Sequence, residues 1–183
     1  KKHNELFYPS FSGVAQSYNY YPVSYMERSE GVIFAALGLG KTIVDGEKSL
    51  RFSPKYPKIL SQYYSVKSTI NNSQNKFYAL DMNKGKNPLK YGEAKNLKKY
   101  NLSIAEKDKE LSNIASTITS DNILRDSLKY SGTRVITFAN IIKYNRFPLT
   151  NIVQDIMILG QKALGCPVEI EFAINLNENK PDE

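Results

Sequence analysis

With 183 residues, 41% of them hydrophobic and 23% charged, the chain has the size of one domain and the apolar material for a core, which excludes multi-domain machinery and intrinsic disorder. One cysteine (Cys166) and one histidine (His3) exclude a disulfide framework, Cys-only zinc, His-rich metal sites and Ser-His-Asp or Cys-His catalysis, and fit a reduced, cytoplasmic compartment. The net charge of +7 points to a polyanionic partner such as a nucleic acid, a nucleotide or an anionic membrane surface.

No apolar run approaches the ~20 residues that span a bilayer. The polar start, Lys1 to Glu5, lacks a Met and a signal core, and reads as the edge of an excised segment. Ser12 to Tyr20 reads as a strand, and the glycine-bounded apolar run Gly31 to Leu37 as a buried strand pairing with it. The loop Gly38-Leu39-Gly40 leads into Lys41 to Asp45, a turn at Gly46, and a short segment, Ser49 to Ser53, closed by Pro54 and Pro57. Lys76 to Asp81 is a predicted strand, followed by an exposed loop from Lys84 to Lys99 that carries six lysines. Ser103, with Glu106 three residues on, reads as a capping box for a helix over Ile104 to Ile118. Val135 to Ile142 is apolar enough to be a strand or a buried helix, and the pattern leaves both open. Leu149 to Leu164 carries an apolar stripe at helical spacing between Pro148 and Gly165. Pro167 to Ile174 alternates Val168, Ile170, Phe172 and Ile174 with Glu169, Glu171 and Ala173, the pattern of a half-buried strand. The order is α+β, without an internal repeat.

Gly38-Leu39-Gly40-Lys41-Thr42 looks like the end of a P-loop, but Ala35 stands where the first glycine belongs and lies inside the apolar run. Ile43 likewise breaks the dinucleotide fingerprint. The two glycines therefore serve either a sharp turn or a different nucleotide fold. Glu169 and Glu171 share a strand face, where a carboxylate either is merely solvated or supplies a hard oxygen to a divalent metal. The loop lysines, with Tyr91 and Tyr100, have the composition of a phosphate-tracking, base-stacking surface, but a charge run is more often a solvated face. Cys166 has no base beside it and reads as an inert packing residue, and His3 as incidental.

Three ordered blocks carry a resemblance: Ser12-Gly-Val-Ala-Gln16, Ala36-Leu-Gly-Leu-Gly-Lys-Thr-Ile-Val-Asp-Gly46 and Gly165-Cys-Pro-Val-Glu-Ile-Glu-Phe-Ala173. They resemble the N-terminal nucleotide-binding domain of phosphoenolpyruvate synthase and pyruvate, phosphate dikinase. Phe147-Pro-Leu-Thr-Asn151 is similar to a further family segment. The resemblance implies residues 1–183 as a single-domain fragment, mainly the second lobe of an ATP-grasp fold, with a mixed or antiparallel sheet, packed helices and a basic insertion at about 83–100. It implies Mg-ATP as ligand, with Gly38, Gly40, Lys41 and Glu171 at the nucleotide and Glu171 also at Mg²⁺. It further implies a parent phosphotransferase, like a pyruvate, water dikinase, that phosphorylates a histidine on another domain for transfer to pyruvate. The fragment alone would then be catalytically inactive. Lys41 stands where the family usually has Glu, which leaves a non-catalytic regulatory module with a degenerate ATP site as the alternative. A basic nucleic-acid-binding domain ranks below both, no membrane partner is expected, and a homo-oligomer is compatible with either reading.

Overall fold

The computed structural model describes residues 5–82 and 96–176. In chain order its elements are β1 (Leu6–Phe7), β2 (Phe11–Gln16), β3 (Val32–Ala36), α1 (Lys41–Val44), β4 (Leu50–Phe52), α2 (Val66–Asn72), β5 (Lys76–Asp81), β6 (Leu97–Asn101), α3 (Leu102–Lys107), β7 (Ala115–Ile118), β8 (Leu124–Arg125), β9 (Thr133–Ile136), α4 (Ala139–Ile142), α5 (Leu149–Leu164) and β10 (Glu169–Ile174). Among the described residues the strands form three antiparallel sheets, ordered β10-β2-β3-β4, β1-β5-β6 and β8-β7-β9. The architecture is α+β, as expected from the alternation of strand-like and helix-like segments.

The four-stranded sheet brings the two ends of the chain side by side. β2 lies at its centre because its residues can be buried on both faces, and Phe11, Val14 and Ala15 are almost completely enclosed. β10 pairs with it in a register that sets Glu171 opposite Val14, Phe172 opposite Gly13 and Ala173 opposite Ser12. Gly13 is required by this register. A Cβ there would stand 2.1 Å from Phe172 Cζ and 2.4 Å from the Phe34 carbonyl oxygen, so only glycine lets the Phe172 ring cross the strand. On the same face Phe11 meets Phe138 and Phe147 edge-on, with ring centroids 5.5 and 6.5 Å away. This aromatic contact joins the sheet to the segment that leads into α5. The core continues through Leu50, Phe52, Phe77, Leu111, Ile114 and Leu149.

Several sequence expectations need correction. The first long strand ends at Gln16, not Tyr20, because both partners run out there: β10 begins at Glu169 and β3 at Val32. The helix expected over Ile104 to Ile118 is three elements, and Asn101, not Ser103, stands before its first turn. α3 stops at Lys107, Lys109 adopts φ 64°, and a 3-10 turn at Glu110–Asn113 hands over to β7. The change has a local cause. Ser116, Thr117 and Ile118 include two β-branched side chains that suit a pleated strand, and all four residues of β7 are buried between two partner strands. Val135 to Ile142, left open above, is both a strand end and a helix: Phe138, at φ 55°, turns β9 into α4.

The expected lysine loop is shortened at its C-terminal side. Lys98 and Lys99 belong to β6, which pairs with β5, so the stretch 97–100 is not loop, while residues 83–95 lie outside the described residues. α5 spans Leu149 to Leu164 as expected, with Gly165 in the left-handed region at its end. The sheet covers only part of its apolar stripe: Leu149, Val153 and Met157 are buried, whereas Ile152, Ile156, Leu159 and Leu164 are exposed. Cys166 is exposed too, so it is not the packing residue expected.

Candidate functional site

The glycine loop is held from three directions. The Ser12 hydroxyl donates to the Gly38 carbonyl at 2.7 Å, tying the loop to β2. The Leu39 N–H donates to the Tyr78 carbonyl at 3.0 Å, tying it to β5. Beneath both, the buried Gln74 amide accepts from the Leu37 N–H (2.8 Å) and donates to the carbonyls of Leu37 (3.1 Å) and Lys76 (2.9 Å). A Gln74→Leu variant leaves those backbone groups unpaired, and we expect a loss of about 1–3 kcal/mol in urea unfolding. An unchanged midpoint would show that the clamp is not structural.

The two glycines do different work. Gly38 sits at φ +80°, and a Cβ on it would come within 2.7 Å of the Tyr78 carbonyl and 2.9 Å of Phe77 Cδ2. It is a packing and turn glycine. Gly40 has ordinary helical dihedrals, and a Cβ there would meet only Ser12 Oγ, at 3.8 Å. Its open side faces a cavity of about 270 Å³.

That cavity collects both ends of the chain. Gly40 and Leu39 from the loop, Ser12 and Val14 from β2, and Glu171 and Ala173 from β10 line it. Strand alternation puts Val14 opposite Glu171 and Ser12 opposite Ala173 on one face of the β2–β10 ladder, and the Gly13–Phe172 pair between them also borders the cavity. Among the described residues the wall is largely apolar, with the Glu171 carboxylate as its charged group. Among the described residues Glu171 has neither a hydrogen-bond partner nor an ion pair. Glu169, two residues earlier on the same face, accepts instead from the Gln16 side-chain amide. Among the described residues no three His, Cys, Asp or Glu side chains cluster closely enough to hold a metal by themselves.

Lys41 and Gly38 do not line the cavity, so the structure brings together Gly40 and Glu171 of the four residues that the resemblance placed at the nucleotide. Lys41 Nζ donates to Asp45 Oδ1 at 2.8 Å, and the Tyr78 hydroxyl donates to Asp45 Oδ2 at 2.8 Å. Lys99 pairs with Glu47 and stands 5.0 Å from the Tyr78 ring centroid. These contacts keep the charges local. The hydrogen bond to Asp45 raises the Lys41 ammonium above its ordinary pKa, and Lys41 followed by Tyr78 holds the Asp45 carboxyl below its own.

Ser12, Val14, Leu39 and Ala173 were not singled out in the sequence as site residues. All four lie inside the motif blocks, and alternation about Glu171 marks Ala173, but nothing in the sequence signals which strand lies opposite. Gln74 carries no local signal at all.

Comparison with known proteins gives one family match. Residues 4–181 match the family described as Pyruvate phosphate dikinase, AMP/ATP-binding domain. No curated protein and no solved structure matches the chain. Blocks in the expected order, with the glycine loop and the acidic strand brought to one cavity and a family match over nearly the whole length, lead to one assignment: the chain belongs to the pyruvate phosphate dikinase AMP/ATP-binding domain family.

Proposed function

We propose that residues 1–183 act as one nucleotide-binding unit, the greater part of the second lobe of an ATP-grasp domain, and that Mg-ATP is bound at the cavity shared by Gly40 and Glu171. The observation that carries the reading is this shared cavity: residues from opposite ends of the chain meet there, in a family of AMP/ATP-binding domains. At about 270 Å³ the cavity is just under the ~300–1,000 Å³ usual for small-molecule sites, so it takes one portion of the nucleotide and not the whole. Its apolar wall suits a planar base or ribose edge, and the absence of a Cβ on Gly40 permits close approach to the backbone.

Magnesium fits this donor set. Mg²⁺ is commonly held by one or two carboxylates, with phosphate oxygens and water completing an octahedron, so a lone Glu171 suffices and a preformed acidic cage is not needed. When bound, the ion neutralises phosphate charge. Glu171 would hold and orient it, and the sheet behind would fix the carboxylate's position. The parent protein, in this reading, is an ATP-dependent phosphotransferase of the phosphoenolpyruvate synthase type, cytoplasmic, passing phosphate through a histidine to pyruvate on other domains. Homo-oligomerisation is compatible with it.

The alternative, a regulatory module with a degenerate site, rested on Lys41. The Lys41 charge is taken up by Asp45 outside the cavity, so the exchange for the family's Glu leaves the cavity's own charge unaltered. Lys41→Ala should therefore change ATP affinity less than about 3-fold, corresponding to well under 1 kcal/mol. Titration calorimetry of ATP, with and without Mg²⁺, tests both points. Saturable, Mg²⁺-dependent binding supports the nucleotide reading. No heat in either condition would defeat it for this chain, and binding gained only in Lys41→Glu would favour the degenerate module.

A further inference from the structure

A larger cavity lies apart from Glu171. There the turn after β4, from Pro54 to Lys58, approaches α4 and the first turns of α5, leaving an open cleft of about 450 Å³. It shares no lining residue with the Gly40–Glu171 cavity. Three cations, Lys55, Lys58 and Lys143, and three amides, Asn145, Asn151 and Gln154, stand in its wall, and among the described residues no carboxylate does. A second cavity of about 160 Å³ adjoins it through Lys58 and Lys143 and, unlike the larger one, holds a carboxylate, Asp126.

The acids that balance two of these lysines sit outside the larger cleft. Lys55 Nζ lies 3.3 Å from Glu30 Oε1, and Lys143 Nζ lies 2.9 Å from Asp126 Oδ2, with neither acid in the cleft's lining. Asp126 is itself pinned, accepting from Ser116 Oγ at 2.9 Å, so Lys143 is tethered and not free to swing away. Among the described residues Lys58 has no ion-pair partner. A wall of ammonium groups and amide N–H donors that lacks a carboxylate repels cations and favours an anion. The ammonium of lysine is a compact point charge, suited to phosphate oxygens.

We propose that this cleft binds a phosphate-bearing small molecule, at a site separate from the nucleotide cavity. The proposal does not rest on ATP binding at Glu171, and it can fail or succeed independently. The probe is sodium pyrophosphate at constant ionic strength, followed by amide chemical shifts of the ¹⁵N-labelled chain. Expected are saturable shifts at Lys58, Lys143, Asn145 and Asn151, with Gly40 and Glu171 unmoved. Lys58→Glu, which breaks no ion pair within the described residues, and Asn151→Asp should each weaken binding at least tenfold while leaving the remaining spectrum folded.

Shifts confined to the Gly40–Glu171 cavity would overturn the proposal, as would shifts that never saturate or that are insensitive to both variants. A single-stranded oligonucleotide arm distinguishes the larger class. If the oligonucleotide binds at this cleft with steep salt dependence and pyrophosphate does not, the surface belongs to a nucleic acid and the small-molecule proposal is wrong.

Discussion

Glu171→Gln should lower Mg²⁺-dependent ATP affinity by roughly 10- to 100-fold, the equivalent of the ~1.5–3 kcal/mol carried by an interaction with a charged partner. The stability of the fold should hardly move. Glu171 lies on the exposed face of β10 and makes no ion pair among the described residues, so its replacement is a surface change worth about ±0.5 kcal/mol. The discriminating measurement is a cycle. Chelating Mg²⁺ should weaken ATP binding to the wild type by a similar factor and should have little further effect on the variant, because in the proposed site the carboxylate and the ion would act as one unit. Equal ATP affinity in the two proteins at saturating Mg²⁺ would remove Glu171 from the site.

The second large effect separates the two glycines. Gly38→Ala forces a side chain into the left-handed region, at about 1–2 kcal/mol, and drives its Cβ toward the Tyr78 carbonyl, an overpacking worth about 1–3 kcal/mol more. Because that neighbour is backbone, it cannot rotate out of the way. A loss of about 2–5 kcal/mol is expected, which at ~2–4 °C per kcal/mol for a chain of this size lowers Tm by roughly 4–20 °C. Gly40→Ala should behave in the opposite way. Its dihedrals are those of an ordinary helical residue and its Cβ meets only Ser12 Oγ at 3.8 Å, so Tm should stay within about 2 °C. The added methyl group points into open cavity, so its cost should appear in nucleotide affinity instead. Equal thermal losses for both variants would contradict the division of labour drawn here.

Much of the fold was legible in residues that are neighbours along the chain. Pro148 and Gly165 bracket α5, and the apolar stripe between them has helical spacing. The glycine-bounded run became β3, and the alternation from Glu169 to Ile174 became β10, with the acids on the exposed face. Where the reading failed, a local pattern was ambiguous and a distant partner decided. Ile104, Leu111, Ile114 and Ile118 fall near one helical stripe, yet Ala115–Ile118 is drawn into a sheet by β8 and β9. Phe138, whose positive φ turns a strand into a helix, carries no glycine to announce it.

The candidate site divides along the same line. The sequence by itself determined the order of the blocks, the types of residue available for nucleotide chemistry, the exclusion of histidine and disulfide chemistry, and the family resemblance. Those follow from composition, spacing and period, which are properties of the chain alone. Only the tertiary structure decided that Gly40 and not Gly38 opens onto the cavity, that Lys41 is spent on Asp45, and that Glu171 stands opposite Val14. The reason is that strand register and the facing of a loop are set by long-range partners, here β5 under the glycine loop and Gln74 beneath it, whose contributions no local window of sequence contains.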